Sequence, residues 1–227
     1  MTEQLSIIIP ARNEAQGIGV LLETLQALRA QGHEVILVDG GSTDATVEPA
    51  RPRVDRVLCT PPGRARQMNA GARAAQGDVL WFVHADTRLE AGHAAALLQA
   101  LEKAPERAWG RFDVHISGRS PLLGSVARLM NLRSRVTGIA TGDQAIFVRR
   151  GAFNAAGGYA EQPLMEDIEL SKALKRISPP LCLRQRIGTS ARRWEQGGVI
   201  RTILLMWGLR LFYFLGLPPE RLARLYN

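Results

Sequence analysis

With 227 residues, 46% of them hydrophobic, the chain suits one compact domain and is too apolar to be disordered. Its two cysteines, Cys59 and Cys182, match no zinc or redox spacing and exclude a disulfide scaffold. The net charge of +8 is uneven: residues 184–227 carry eight arginines against Glu195 and Glu220, which is either a solvated face or a surface for nucleic acid, phosphate or anionic lipid.

The N-terminus, MTEQLSIIIP, has no basic region followed by a long apolar run, so a cytoplasmic chain is expected. Residues 5–10, LSIIIP, are apolar, β-branched and stopped by proline, which reads as a strand. Ile18, Leu21, Leu22, Leu25 and Leu28 then follow helical spacing, with Asn13 and Gln16 placed as a capping box. HEVILVDGG (33–41) reads as a second buried strand, and STDATVEPA as a short helix. VDRVLCT (54–60) is a third strand, RARQMNAGARAAQ (64–76) a helix ended by Gly77, DVLWFV (78–83) a fourth strand, and 91–104 a helix. This alternation predicts a largely parallel sheet covered on both faces, with ligands at the carboxyl ends of its strands.

The second half is less regular. WGRFDVHI (109–116) and QAIFVRR (144–150) read as strands, and PLLGSVARLMNLRSRV and MEDIELSKALKRI (165–177) as helices.

Polar residues collect where the first strands end: Pro10, Arg12, Asn13 and Glu14 after strand one, Asp39 and Gly40 after strand two, His84 and Asp86 after strand four. Asp39 beside two glycines suits a ribose or a base N–H, or is a plain turn. No G-x-G-x-x-G or P-loop pattern is present. Arg64 and Arg66 at a helix start suit a phosphate, or are solvated. Asp86 has the position of a metal ligand for Mg²⁺ or Mn²⁺, which one carboxylate and substrate phosphates commonly hold; the plain alternative is a helix cap. His84 is either a second ligand, favouring Mn²⁺, or a hydrogen-bonding partner of ribose or phosphate. Glu166 and Asp167 open a helix, as dipole partners or as the acid that deprotonates a hydroxyl. Asp143 and Gln144 are candidate sugar contacts.

In order and spacing, IIIPARNE (7–14), VDGGSTD (38–44), NAGARAAQGD (69–78), HADT (84–87), GGY (157–159) and MEDIEL (165–170) resemble the inverting glycosyltransferases of family 2. The resemblance spans about residues 5–180. It implies a GT-A fold: an α/β, Rossmann-like, mostly parallel central sheet flanked by helices, here with a helical C-terminus. It implies a nucleoside held by the Pro10–Glu14 segment and Asp39, a metal–diphosphate on Asp86, and Asp167 as base. His84 stands where the family usually has Asp, and Met68 where an arginine often precedes Asn-x-Gly; Arg64 and Arg66 would compensate for the latter. The HADT variant resembles a small bacterial subgroup named for arsenosugar biosynthesis.

Residues 199–217 hold only two charges over 19 positions, but a central Arg210 costs a membrane-spanning helix about 2.5–3.5 kcal/mol. Packing on the domain and contact with an anionic membrane surface are the other readings. Arg193 and Trp194 in RRW resemble the acceptor-site motif of processive family members, without the preceding glutamine pattern.

The expectation is a single domain over 1–227, with a nucleotide-binding half to about 90, an acceptor half to about 180, and a basic, apolar helical segment beyond. It would move sugar from a nucleoside-diphosphate sugar, a UDP-sugar foremost, to a hydroxyl acceptor with inversion, using Mn²⁺ or Mg²⁺. It would be cytoplasmic or peripheral at the inner membrane face, with no nucleic acid as partner. The rivals are a nucleotidyltransferase and a non-catalytic basic module for nucleic acid or lipid.

Overall fold

The computed structural model describes residues 3–226, except the side chains of Arg193 and Gln196. Seven strands form one sheet: β1 Leu5–Ala11, β2 Glu34–Asp39, β3 Arg56–Cys59, β4 Val79–Phe82, β5 Trp109–Ser117, β6 Phe147–Arg149 and β7 Leu181–Ser190. Their order is β3-β2-β1-β4-β6-β5-β7. β1 to β4 are mutually parallel, β6 runs antiparallel to β4 and β5, and β5 is parallel to β7. The mostly parallel α/β sheet expected from the sequence is therefore present.

Burial on both faces explains the continuous apolar runs. Alternate residues of a strand point to opposite faces. On one face Ile7, Ile9, Leu37 and Trp81 meet α1 (Ile18–Ala30), α3 (Gly92–Lys103) and α4 (Leu122–Thr137). On the other, Ile8, Val38, Leu80 and Phe82 meet α2 (Arg64–Ala74), α5 (Arg150–Ala155) and α6 (Glu166–Lys175). α2 lies so close to β1 that a Cβ at Gly71 would sit 2.4 Å from Ile8 Cγ2. Glycine is what admits the helix there.

Several elements differ from expectation. α1 has no side-chain cap and starts at Ile18, because Asn13 and the loop after β2 bond to each other instead. Residues 42–50 form turns held by Asp44 and Thr46 rather than a helix. Gly142–Gln144 is a turn of 3₁₀-helix, so β6 starts only at Phe147. The edge strand β7 was not expected at all.

The chain ends in α7 (Arg192–Gly197), α8 (Val199–Phe214) and α9 (Pro219–Tyr226). Leu209 of α8 and Leu222 of α9 are buried against Ile139, Met165 and Ile168. The packed reading of residues 199–217 thus holds. Among the described residues no helix is long and apolar enough to cross a membrane. The outward side of α8 remains apolar, with Ile200, Leu204, Trp207 and Leu211 exposed.

Candidate active site

A cavity of about 440 Å³ opens where β1, β4 and β7 end. β6 runs the other way, so its N-terminal turn arrives at the same rim. Backbone strain concentrates there: Asn13, Ala145 and Met165 have φ of 56°, 44° and 67°. Such values are uncommon for alanine and methionine and gather at functional sites. Ala145 follows Asp143–Gln144, and Met165 precedes Glu166–Asp167.

The tip of β1 gives Pro10, Arg12 and Glu14 to the cavity wall. Asn13 is turned away: its Oδ1 accepts the Thr43 N–H at 2.8 Å, and its own N–H donates to Ser42 Oγ at 2.9 Å. Asp39 is buried and outside the wall, accepting the N–H groups of Gly41 and Ser42 at 3.1 Å. Gly40 donates its N–H to the Ala11 carbonyl at 2.9 Å. Gln67 bonds the Ala11 and Val38 carbonyls, both at 2.9 Å. These bonds fix the two strand tips relative to each other.

Arg64 and Arg66 part company. Successive residues on a helix are about 100° apart, so positions two apart point to nearly opposite sides. Gly63 and Arg64 line the cavity, whereas Arg66 faces Glu161 at 3.6 Å. The open start of α2 offers N–H groups and positive charge to an anion. Arg64 Nη1 is 3.6 Å from Glu166. Burial lowers the Arg64 pKa, but Glu166, Asp143, Asp167 and Asp86 outweigh it and raise the guanidinium above its ordinary range. Glu166 is thus within ion-pair reach of this arginine, and the charges of Asp143, Asp167 and Asp86 add to its effect.

His84 and Asp86 both line the cavity, but not as alternate residues of a strand: β4 ends at Phe82, and the Thr87 N–H donates to the His84 carbonyl at 3.0 Å, which closes a turn that carries both side chains to the rim. His84 Nδ1 is 3.3 Å from Asp143 Oδ1. Its Nε2 is buried without a hydrogen-bond partner. A Cβ at Gly142 would sit 2.6 Å from Nε2, so the ring rests on that glycine. Asp143 is held low: burial raises its pKa, but the His84 hydrogen bond, the His84 charge and Arg64 and Arg210 outweigh it.

Gln144 is fully buried, and its Oε1 accepts the Thr141 N–H at 3.1 Å. It completes a capping box instead of facing the cavity. Glu166 is buried, and its pKa is raised by burial and by Asp167 against the pull of Arg64. Asp167 Oδ2 accepts the Gly142 N–H at 3.0 Å. Neither acid of the pair reaches the cavity wall directly. Tyr159, beside them, has its phenol pKa pushed well up by burial, Asp167 and Glu166.

Trp194 lines the cavity, while the Arg193 side chain lies outside the described residues. Sequence reasoning missed Thr189, Ser190 and Arg192 at the end of β7, and Met206 and Tyr226 from the closing helices. Among the described residues no three His, Cys, Asp or Glu side chains cluster tightly enough to hold a metal alone.

A mostly parallel sheet with a cavity at its carboxyl rim, lined by both acids and arginines, is the arrangement of an α/β enzyme that binds its ligand at the strand ends. The model of glycosyl transferase family 2 matches residues 6–153, and the chain belongs to that family. The PGL/p-HBAD biosynthesis glycosyltransferase of Mycobacterium bovis is 32% identical over 164 residues, covering 68% of this chain and 62% of the relative. An uncharacterized glycosyltransferase of Mycobacterium tuberculosis is 27% identical over 110 residues, 48% of this chain. That match spans about half of the relative's length, 49%. In structure, S. aureus TarS 1–349 in complex with UDP matches 82% of this chain and 60% of its own, with a TM-score of 0.68 and 19% identity. Glucosyl-3-phosphoglycerate synthase from Mycobacterium tuberculosis, in complex with Mn²⁺, UDP-glucose and phosphoglyceric acid, matches 82% and 70%, with a TM-score of 0.63 and 19% identity. The fold is that of the GT-A glycosyltransferases.

Proposed function

We propose that the protein transfers a sugar from a nucleoside-diphosphate sugar to a hydroxyl acceptor with inversion, all 227 residues acting as one domain. The observation that carries this reading is the cavity wall itself, where Asp86 and Asp143 stand with Arg64 at the open start of α2 and Glu166 lies 3.6 Å from that arginine. UDP is the expected nucleotide, supported by the complexes of the two structural relatives.

The Pro10–Glu14 segment and Asp39 hold the nucleoside. Asp39 already accepts the Gly41 and Ser42 N–H groups and the Ser42 hydroxyl, which leaves about one of a carboxylate's four acceptor positions for a base or ribose. The diphosphate lies against Arg12, Arg64 and the N–H groups of α2. Asp86 is a hard oxygen ligand facing the cavity, which fits Mg²⁺ or Mn²⁺ held by one carboxylate and substrate phosphates. When bound, such an ion offsets the charge of the diphosphate leaving group. His84 suits a positioning role better than ligation, since its Nδ1 is engaged by Asp143 and its Nε2 is buried over Gly142.

Asp167 is the base. The Gly142 N–H holds its carboxylate, which takes the proton of the acceptor hydroxyl. The acceptor oxygen then bonds to the anomeric carbon as the bond to the diphosphate breaks on the opposite side, inverting that centre. Arg64 stabilises the departing oxyanion. The HADT-subgroup resemblance enters only through His84 and Asp86 and assigns no acceptor. The exposed α8 stripe with Arg201 beside it supports peripheral contact with an anionic membrane.

Calorimetric titration of UDP, GDP and dTDP, with and without Mn²⁺, into wild type and Asp86→Ala tests the reading. One diphosphate should bind in a manganese-dependent way and be lost in the variant. No binding of any diphosphate under either condition overturns it.

A further inference from the structure

Two arginines that the donor reading does not use stand near Asp167. Arg133 projects from α4 and Arg210 from α8, helices that pack against each other. The Nε and Nη2 atoms of Arg133 are buried and have no hydrogen-bond partner. Arg210 is half-buried and makes no hydrogen bond or ion pair among the described residues. Asp113 is already paired with both Arg111 and Arg135.

Burial, followed by the charge of Arg210, pushes the Arg133 pKa down to about 10, with Asp167 opposing. Burial also lowers that of Arg210, with Asp167 and Asp143 opposing. Two like charges on helices that pack against each other are thus partly desolvated and without an ion pair, which disfavours the fold. Buried guanidinium groups normally have partners, and unsatisfied ones call for an explanation. Asp167 does not supply it: it carries one negative charge, is hydrogen-bonded to the Gly142 N–H, and lies beyond ion-pair distance of both arginines.

We infer that Arg133 and Arg210 form a subsite for a phosphate-class oxyanion on the acceptor, beside the hydroxyl that Asp167 deprotonates. The assignment of this anion to an acceptor rests on the glycosyltransferase reading. A dianion offsets both cations, and two guanidinium forks match its several oxygens. A single carboxylate would leave one cation uncompensated. The anchor would fix the acceptor between α4 and α8, with its hydroxyl turned to the base. The oxyanion is either free or part of a lipid headgroup, and the exposed apolar side of α8 adjoins the subsite.

The test titrates inorganic phosphate calorimetrically into Arg64→Gln, where the donor cleft is weakened, and into Arg64→Gln/Arg133→Gln/Arg210→Gln. The first should retain a phosphate site, and the second should bind about tenfold or more weakly. Equal affinities, or no phosphate site in Arg64→Gln, overturn the inference. Thermal melting of Arg133→Gln/Arg210→Gln separates binding from architecture. Removing two unpaired like charges should leave Tm unchanged or raise it, whereas a fall of several degrees assigns them a structural role and overturns the subsite. Sedimentation with phosphatidylcholine vesicles, with and without phosphatidic acid, separates the sources. Arginine-dependent pelleting assigns a lipid phosphate, and phosphate binding without pelleting a soluble one; both support the subsite. Failure of UDP to bind wild type would overturn the glycosyltransferase reading while leaving the phosphate result readable.

Discussion

Arg192, just beyond β7, and Glu14, just beyond β1, are joined by an ion pair of 3.0 Å across the mouth of the cavity. Their pairing closes the wall between two strands at distant places in the sheet. The bond to Glu14 raises the Arg192 pKa, with Asp86 adding to the effect. Its side chain is 50% exposed, so the pair adds about 1 kcal/mol or less to stability. A diphosphate entering the cavity would compete with Glu14 for this guanidinium. Arg192→Ala should therefore weaken UDP binding about tenfold, while shifting Tm by about 4 °C or less. Calorimetry and thermal melting check both halves, and unchanged UDP affinity would remove Arg192 from the donor site.

Asp167→Asn isolates the chemical step. The amide oxygen can still accept the Gly142 N–H that now meets Oδ2 at 3.0 Å, so the loop before β6 should keep its shape. What disappears is the proton acceptor. Loss of a general base lowers rate by about a hundredfold to ten-thousandfold. Transfer should fall by that factor, with UDP affinity within about twofold of wild type. Loss of UDP binding in a folded variant would assign Asp167 to the nucleotide instead.

β1, β2 and β4 were legible because strands buried on both faces leave unbroken apolar runs, and their polar tips mark the rim that became the cavity. β7 was not, because as an edge strand it pairs with β5 on one side, meets only a single bridge from Arg88 at Gly188 on the other, and carries half-exposed residues and arginines through Arg186. Its end delivers Arg192, so missing the strand meant missing that part of the wall. Gln144 looked like a sugar contact, although its spacing from Thr141 is that of the capping box it forms, a signal the sequence did offer. The separation of Arg64 from Arg66 was available from helical geometry alone. The packing of the helix that carries Arg133 against the one that carries Arg210 was not, since only the return of α8 across α4 brings segments so far apart in the chain together.

Stability toward acid should depend on Asp55. It accepts the Val35 N–H at 2.8 Å and pairs with Arg29 at 2.8 Å. Burial raises its pKa, but the Arg29 hydrogen bond, the Val35 N–H and the charges of Arg29 and Arg56 outweigh this and hold the carboxyl below its ordinary value. A depressed carboxylate stabilises the fold at pH values above its unfolded pKa of about 3.9, and that contribution fades as pH falls toward the folded value. Asp55→Asn should lower Tm at neutral pH, and the gap from wild type should close below about pH 4. The pair is partly exposed, so the effect should be about 1 kcal/mol or less. A gap that widens on acidification would contradict the sign.

The largest loss of stability should come from Asp113. Its carboxylate bridges Arg111, whose side chain is fully buried, and Arg135 at 2.6 Å. Arg111 also donates to the carbonyls of Phe112 and Asn131, each at 3.2 Å, but those oxygens carry no net charge. Asp113→Asn would leave a guanidinium uncompensated inside the protein, at a cost of about 3–5 kcal/mol. For a chain of this length that is a Tm loss of about 6–20 °C. Replacing both partners with apolar residues, as in Arg111→Met/Asp113→Leu, should cost less than Asp113→Asn alone, because no buried charge then remains without a partner. Melting curves of the two proteins decide the point. If the double variant is the less stable, the pair contributes more by its mutual attraction than the buried charge costs when left alone.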